Sequence, residues 1–187
     1  MKEDQEDKEL VVNFFKSKNI EARGFPKKQT DKNPDFELLI NGEQFGYCEL
    51  KSIIEYIVLG EHSDPTYNKI QNRIHETTKQ FISVNPEHGV PNILFFINHH
   101  GYVGYQDLWF VLSGQATPTQ TSDPIDLRYL KRLMQNDDLE KIDLIIWADK
   151  EGTSISFIIN SDSKFHINLR RKISSRAYEK IGIGRYT

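Results

Sequence analysis

Pro34-Asp35-Phe36 and Cys48-Glu49-Leu50-Lys51 set two carboxylates and an ammonium on either side of Asn41-Gly42. Asn-Gly is the favoured pair for a two-residue type I′ turn, and the flanking runs from Asp35 to Ile40 and from Phe45 to Ile54 read as its two strands. An antiparallel hairpin across that turn brings Asp35 toward Glu49. Strand side chains repeat with period two, so Glu49 and Lys51 point to one face while Cys48, Leu50 and Ser52 point to the other. Phosphodiester cleavage needs a nucleophilic water, stabilisation of charge on the phosphoryl oxygens and help for the leaving oxygen. A hard divalent cation supplies much of this. Mg2+ takes one or two carboxylates together with waters and phosphate oxygens, which makes Asp35 and Glu49 its candidate ligands, with Mn2+ as a candidate substitute. Lys51, beside anionic groups, stays protonated on Coulomb grounds and positions or polarises the water. The plain alternative is a charged sheet face that meets water. Against it stand Phe45, Tyr47, Ile53, Ile54, Ile57 and Val58, apolar company that argues for a covered strand.

At these residues the chain resembles the PD-(D/E)xK nuclease superfamily, the restriction-endonuclease-like fold. The match is Pro34-Asp35 and then Glu49-Leu50-Lys51, the carboxylates 14 positions apart. The resemblance implies an α/β protein with a mixed central sheet flanked by helices, in the order α-β-β-β-α-β. That core covers roughly residues 5–100, with a C-terminal elaboration over 101–187, in a single domain. It implies that Asp35 and Glu49 bind the metal, that the backbone carbonyl of Leu50 completes coordination, and that Lys51 serves the attacking water. The activity implied is Mg2+-dependent endonucleolytic cleavage of DNA. An RNA-cleaving enzyme with the same centre, and a catalytically inactive module binding nucleic acid or protein, are the alternatives. Restriction-type enzymes often cut two strands as homodimers, and an additional targeting subunit is compatible with the resemblance. No strip of this chain identifies an interface.

The stretch from Asp4 to Lys18 places Leu10, Val11, Phe14 and Phe15 on one helical stripe. Asp7 stands at the start of that stripe. Asp7-Lys8-Glu9-Leu10-Val11 resembles the Glu-x-Glu-Leu opening of archaeal Holliday-junction resolvases, which implies Asp7 as a further metal ligand, with Glu9 the second choice. An acid in a first helical turn also favours the helix dipole without any ligand role. A second helix is expected from Tyr67 to Val84, with Ile70, Ile74, Phe81 and Ile82 inward. In the resembled fold such a helix presents a polar side chain to phosphate, and Lys69, Gln71, Arg73 and Lys79 are its candidates here. Ile93 to Ile97 reads as a buried, parallel strand. His99-His100 at its end point in opposite directions and make a poor chelating pair, so they read as loop polarity.

The net charge is −3, but it is unevenly distributed. From Lys164 to Thr187 there are seven basic residues and one acid, which leaves −9 for the remainder. Arg170 and Arg171 in that basic end, and Lys27, Lys28 and Lys32 just before Asp35, are candidate phosphate contacts; a solvated surface is the alternative. Cys48 is the only cysteine, which excludes intramolecular disulfides and cysteine zinc sites and suits core packing. No apolar run reaches the ~20 residues that span a membrane, and no secretory leader is evident, so a soluble cytoplasmic protein is expected. No phosphate loop, zinc-peptidase helix, nucleophile elbow or dinucleotide fingerprint is present. Toward the C-terminus a helix over Leu127 to Asn136 is expected. Strands over Leu144 to Trp147 and Ser154 to Ile159 should follow, joined by a turn at Asp149 to Gly152.

Overall fold

The structure, a computed structural model, describes residues 2–25, 33–54, 65–101, 103–116, 125–126 and 136–173. The expected contributions of Lys27, Lys28, Lys32, Ile57 and Val58, most of the 127–136 helix and the basic residues after 173 lie outside that set. The elements are α1 (Lys2–Lys16), β1 (Glu21–Gly24), β2 (Phe36–Ile40), β3 (Glu43–Ile53), α2 (Pro65–Val84), β4 (Asn92–Asn98), α3 (Tyr105–Ser113), β5 (Gln115–Ala116), β6 (Ile125–Asp126), α4 (Asn136–Glu140), β7 (Leu144–Asp149), β8 (Ile155–Ile159) and α5 (His166–Lys172). Six strands form one mixed sheet in the order β1-β2-β3-β4-β7-β8, and β5 pairs only with β6. Antiparallel pairing joins β1 to β2 and β2 to β3; β3, β4 and β7 run parallel, and β8 returns antiparallel.

Helices cover both faces, so the parallel strands are apolar on both sides. Ile93, Phe95 and Ile97 of β4 enter one core with Val11, Phe14 and Phe15 of α1 and Leu169 of α5. Leu94 and Phe96 enter the other, with Ile70, Ile74 and Phe81 of α2 and Leu108 and Val111 of α3. Ile82, expected inward, is 45% exposed. The α2 stripe steps from Ile74 to Phe81, and one residue further turns about 100° away from it.

α1 ends in a Schellman motif: Asn19 takes φ 58°, Asn19 N–H donates to Lys16 O and Ile20 N–H to Phe15 O, each at 3.0 Å. That closure lays Ile20 in the core and sends the chain into β1, a strand that periodicity did not single out. The Asn41-Gly42 turn has both residues at positive φ, 52° and 83°, as a type I′ turn requires. Past it the register slips: Leu39 faces Gln44 and Leu38 faces Gly46, so Phe45 is an extra residue. This bulge moves Phe45 to the α1 face, where it joins Cys48 and Leu50 although its number is odd. Gly46 lets β3 approach the chain before β4, since a Cβ there would lie 2.6 Å from the Pro91 carbonyl oxygen. No helix among the described residues is long and apolar enough to cross a membrane.

Candidate metal centre

The hairpin register sets Phe36 opposite Cys48, and therefore Asp35 beside Glu49 at the mouth of β2 and β3. Two reciprocal hydrogen bonds lock them. Asp35 N–H donates to Glu49 Oε2 at 2.9 Å, and Leu50 N–H donates to Asp35 Oδ2 at 3.0 Å. Lys51 Nζ donates to Glu49 Oε1 at 2.7 Å and to Gln80 Oε1 at 3.2 Å, and Gln80 Nε2 reaches Asn33 O at 3.4 Å. Asp35, Glu49 and Lys51, the three residues expected to carry chemistry, are thus one connected group, roofed by α2.

The group is buried, Glu49 at 2% and Asp35 at 8% exposure. Burial, and then the charge of Asp35, push the Glu49 carboxyl up to about 7, against the opposing pull of Lys51 and Gln80. Cys48, on the far face of β3, is raised well above its ordinary value by burial and then by the two carboxylates. Excess negative charge in a shielded place is what a divalent cation relieves. Two carboxylates suffice for Mg2+, which fills its remaining positions with waters and phosphate oxygens. Among the described residues no group of three or more His, Cys, Asp or Glu side chains could hold a metal ion, so the candidate donors here are the two carboxylates alone.

Gln80 is the site residue that sequence reasoning passed over. It sits one position before buried Phe81, at the margin of the inward stripe, and that marginal position was its only signal. The candidates chosen on α2 lie elsewhere. Lys69 Nζ donates to Ile54 O at 2.7 Å, and Arg73 pairs with Glu76. Lys79 is exposed, while Gln71 is buried, its Oε1 without a hydrogen-bond partner. Arg170 and Arg171 are exposed on α5.

Asp7 is buried at the α1 face, opposite Glu49 and Lys51. Its carboxylate accepts from Ser52 Oγ at 2.5 Å and contacts His99 Nε2 at 2.9 and 3.0 Å. His99, expected as loop polarity, is therefore the fixed partner of Asp7. Its backbone N–H also donates to Ile53 O at 2.9 Å, which ties the ends of β3 and β4 together.

Because Gln80 accepts from the Lys51 ammonium beside Glu49, its loss should loosen that group without uncovering the core. If the group is the nuclease centre proposed below, Gln80→Ala should lower turnover roughly tenfold, since small misplacements of a positioning group are costly, with unchanged substrate affinity and thermal midpoint. Single-turnover kinetics beside a binding titration checks this; an equal loss of affinity would assign Gln80 to substrate contact.

No family model, curated protein or solved structure matches the chain.

Proposed function

We propose that the chain is a divalent-metal-dependent endonuclease that hydrolyses DNA phosphodiester bonds on a restriction-endonuclease-like scaffold. The observation that carries this reading is the buried Asp35–Glu49–Lys51 group, with its two carboxylates held side by side and Glu49 pushed up to about 7. The element order α1-β1-β2-β3-α2-β4 supports it, being the order of that core. The choice of DNA over RNA comes from the resemblance of Pro34-Asp35 and Glu49-Leu50-Lys51 alone.

In this reading Asp35 and Glu49 hold Mg2+, with the Leu50 carbonyl as a further donor. The bound cation supplies Lewis acidity toward the phosphoryl oxygens and acidifies water. The chain's own groups do the rest. Backbone N–H donors from Asp35 and Leu50 orient the two carboxylates, so that they need not reorganise when a cation arrives. The Lys51 side chain, paired with Glu49, holds a water or a phosphate oxygen by its remaining donors. Gln80 fixes the direction of that ammonium. α2 covers the group and limits competing water. Asp7, held by Ser52 and His99 on the other face of β3, lies outside this ligand set.

The test compares wild type with Asp35→Asn on duplex, single-stranded and branched DNA and on RNA, with Mg2+, with Mn2+ and with EDTA. Cleavage of DNA that needs the metal and drops by about a thousandfold in the folded variant is expected, the scale of several kcal/mol of charge stabilisation. Cleavage that persists in EDTA would sink the mechanism. Cleavage of RNA alone would move the substrate class, and tight binding without turnover on any substrate would favour a non-catalytic module.

A further inference from the structure

The second concentration of charge lies on α5, away from the carboxylates. Between Ser163 and Ile173 the chain carries Lys164, Arg170, Arg171 and Lys172 and no acid. All four cations are exposed, and among the described residues none of them forms an ion pair. Three sit in the last turn, where the helix dipole favours them. That accounts for their tolerance, while Lys164 at the other end lies over the Phe165 ring at 5.0 Å with Asp162 two residues before it.

The surface is also rigidly mounted. Leu169 and Ile173 are buried in the α1-side core. Ahead of the helix, Ser163 Oγ donates to the buried Asp143 carboxylate and accepts from Phe165 N–H at 3.0 Å, while His166 N–H donates to Ser163 O. A helix held this way presents its cations to a polyanion without reordering of its own backbone. Only Ile167, 62% exposed, is a large apolar group on the outward side, too little to anchor a helix in a bilayer. Arginine forks match phosphate oxygens, and adjacent Arg170 and Arg171 offer two.

We propose that α5 is a docking surface for the phosphate backbone of the nucleic acid that the Asp35–Glu49–Lys51 centre cuts, remote from the reacting bond. This rests on the nuclease reading. α5 packs against β8 on the α1 face, whereas Glu49 and Lys51 face α2 from β3. Three inter-strand steps at about 4.8 Å separate β3 from β8. Contacts at α5 therefore add affinity and leave the chemical step alone.

The experiment titrates fluorescent duplex DNA with full-length protein in EDTA, from about 50 to 300 mM salt, for wild type, Arg170→Ala/Arg171→Ala and a control of equal charge, Lys16→Ala/Lys150→Ala. Each phosphate contact contributes about 0.9 to the slope of log affinity against log salt, so the α5 variant should lose about 2 from that slope. Affinity at 0.1 M salt should fall roughly tenfold or more, with the control unchanged and single-turnover cleavage at saturating DNA unchanged. An unaltered slope and affinity, or an equal loss in the control, overturns the proposal. So does a loss confined to binding of vesicles rich in anionic lipid. An α5-dependent loss in a protein that cuts nothing would retain the docking surface and discard the nuclease.

Discussion

Glu49→Gln should, on the nuclease reading, abolish metal-dependent cleavage, by about a thousandfold or more, and at the same time make the metal-free protein more stable at pH 8. Both follow from one side chain. Glu49 is 2% exposed beside Asp35, and burial with that neighbouring charge raises its carboxyl from the ordinary 4.5 to about 7. A proton that binds more tightly in the folded chain than in the unfolded one stabilises the fold. The contribution is full below the unfolded value near 4.5 and is lost as pH rises through about 7. At about 1.4 kcal/mol per unit, ionising Glu49 costs up to about 3 kcal/mol. Glutamine has the same shape, accepts from Asp35 N–H or Lys51, and carries no charge to desolvate. Urea unfolding in EDTA should therefore show a stability that falls between pH 5 and 8 in wild type and a smaller fall in Glu49→Gln.

The cation supplies the opposite arm. In the proposed centre it would bind the ionised carboxylate, so Mg2+ should raise the wild-type melting midpoint more at pH 8 than at pH 5.5 and should do little for Glu49→Gln. Cleavage should rise with pH through about 7 for the same reason. A variant that is less stable than wild type at pH 8 without metal would show that Glu49 acts as a structural ion-pair partner of Lys51, and the pair would lose its claim to be a metal centre.

The hairpin that carries this chemistry is legible because its signals are local. Asn41-Gly42 dictates a type I′ turn and period two assigns Glu49 and Lys51 to one face, but the turn length alone would set Asp35 opposite Cys48, and it is the one-residue bulge at Phe45 that sets it beside Glu49. The bulge at Phe45 is not legible, because periodicity assumes that no residue is skipped. Its cause is tertiary: Phe45 finds room in the α1-side core. β1 is short and polar on most of its length, with the burial of an edge strand, so alternation has little to act on there. Asp7 was visible as an acid at the head of an apolar stripe. Its engagement by Ser52 and His99, 45 and 92 positions away, depends on how α1 lies across β3 and β4. Gln80 fails to stand out for the same reason, since helical spacing cannot say which marginal residue meets Lys51. The expected contributions of Lys27 and Lys28 fall outside the described residues.

Asp143→Ala should be the most damaging single substitution to the fold away from the hydrophobic core, at about 3–5 kcal/mol. Asp143 is fully buried just ahead of β7. Its carboxylate accepts from Asn92 N–H at 2.7 Å and from Ser163 Oγ, and Oδ2 contacts His88 Nε2 at 2.7 Å. Its backbone is also committed, with N–H to Asn92 O and O to Asn160 N–H, both at 2.9 Å. One residue thus joins the starts of β4 and β7, the turn carrying His88 and the loop that leads to α5. Alanine would leave the Asn92 N–H and the Ser163 hydroxyl buried without acceptors, and each orphan costs about 1–3 kcal/mol. Asp143→Asn keeps one acceptor and should lose less, and His88→Ala, whose ring is partly exposed, less again. Denaturant unfolding of the three variants orders them. If Asp143→Asn proves as damaging as Asp143→Ala, the charge opposite His88 is what matters; if Asp143→Asn is mild, the acceptor geometry is. Stabilities of natural domains lie near 5–15 kcal/mol, so the alanine variant would stand close to unfolding. Since the same carboxylate anchors Ser163, its loss should weaken the proposed docking of DNA at α5 before it touches the Asp35–Glu49–Lys51 group on the other side of the sheet.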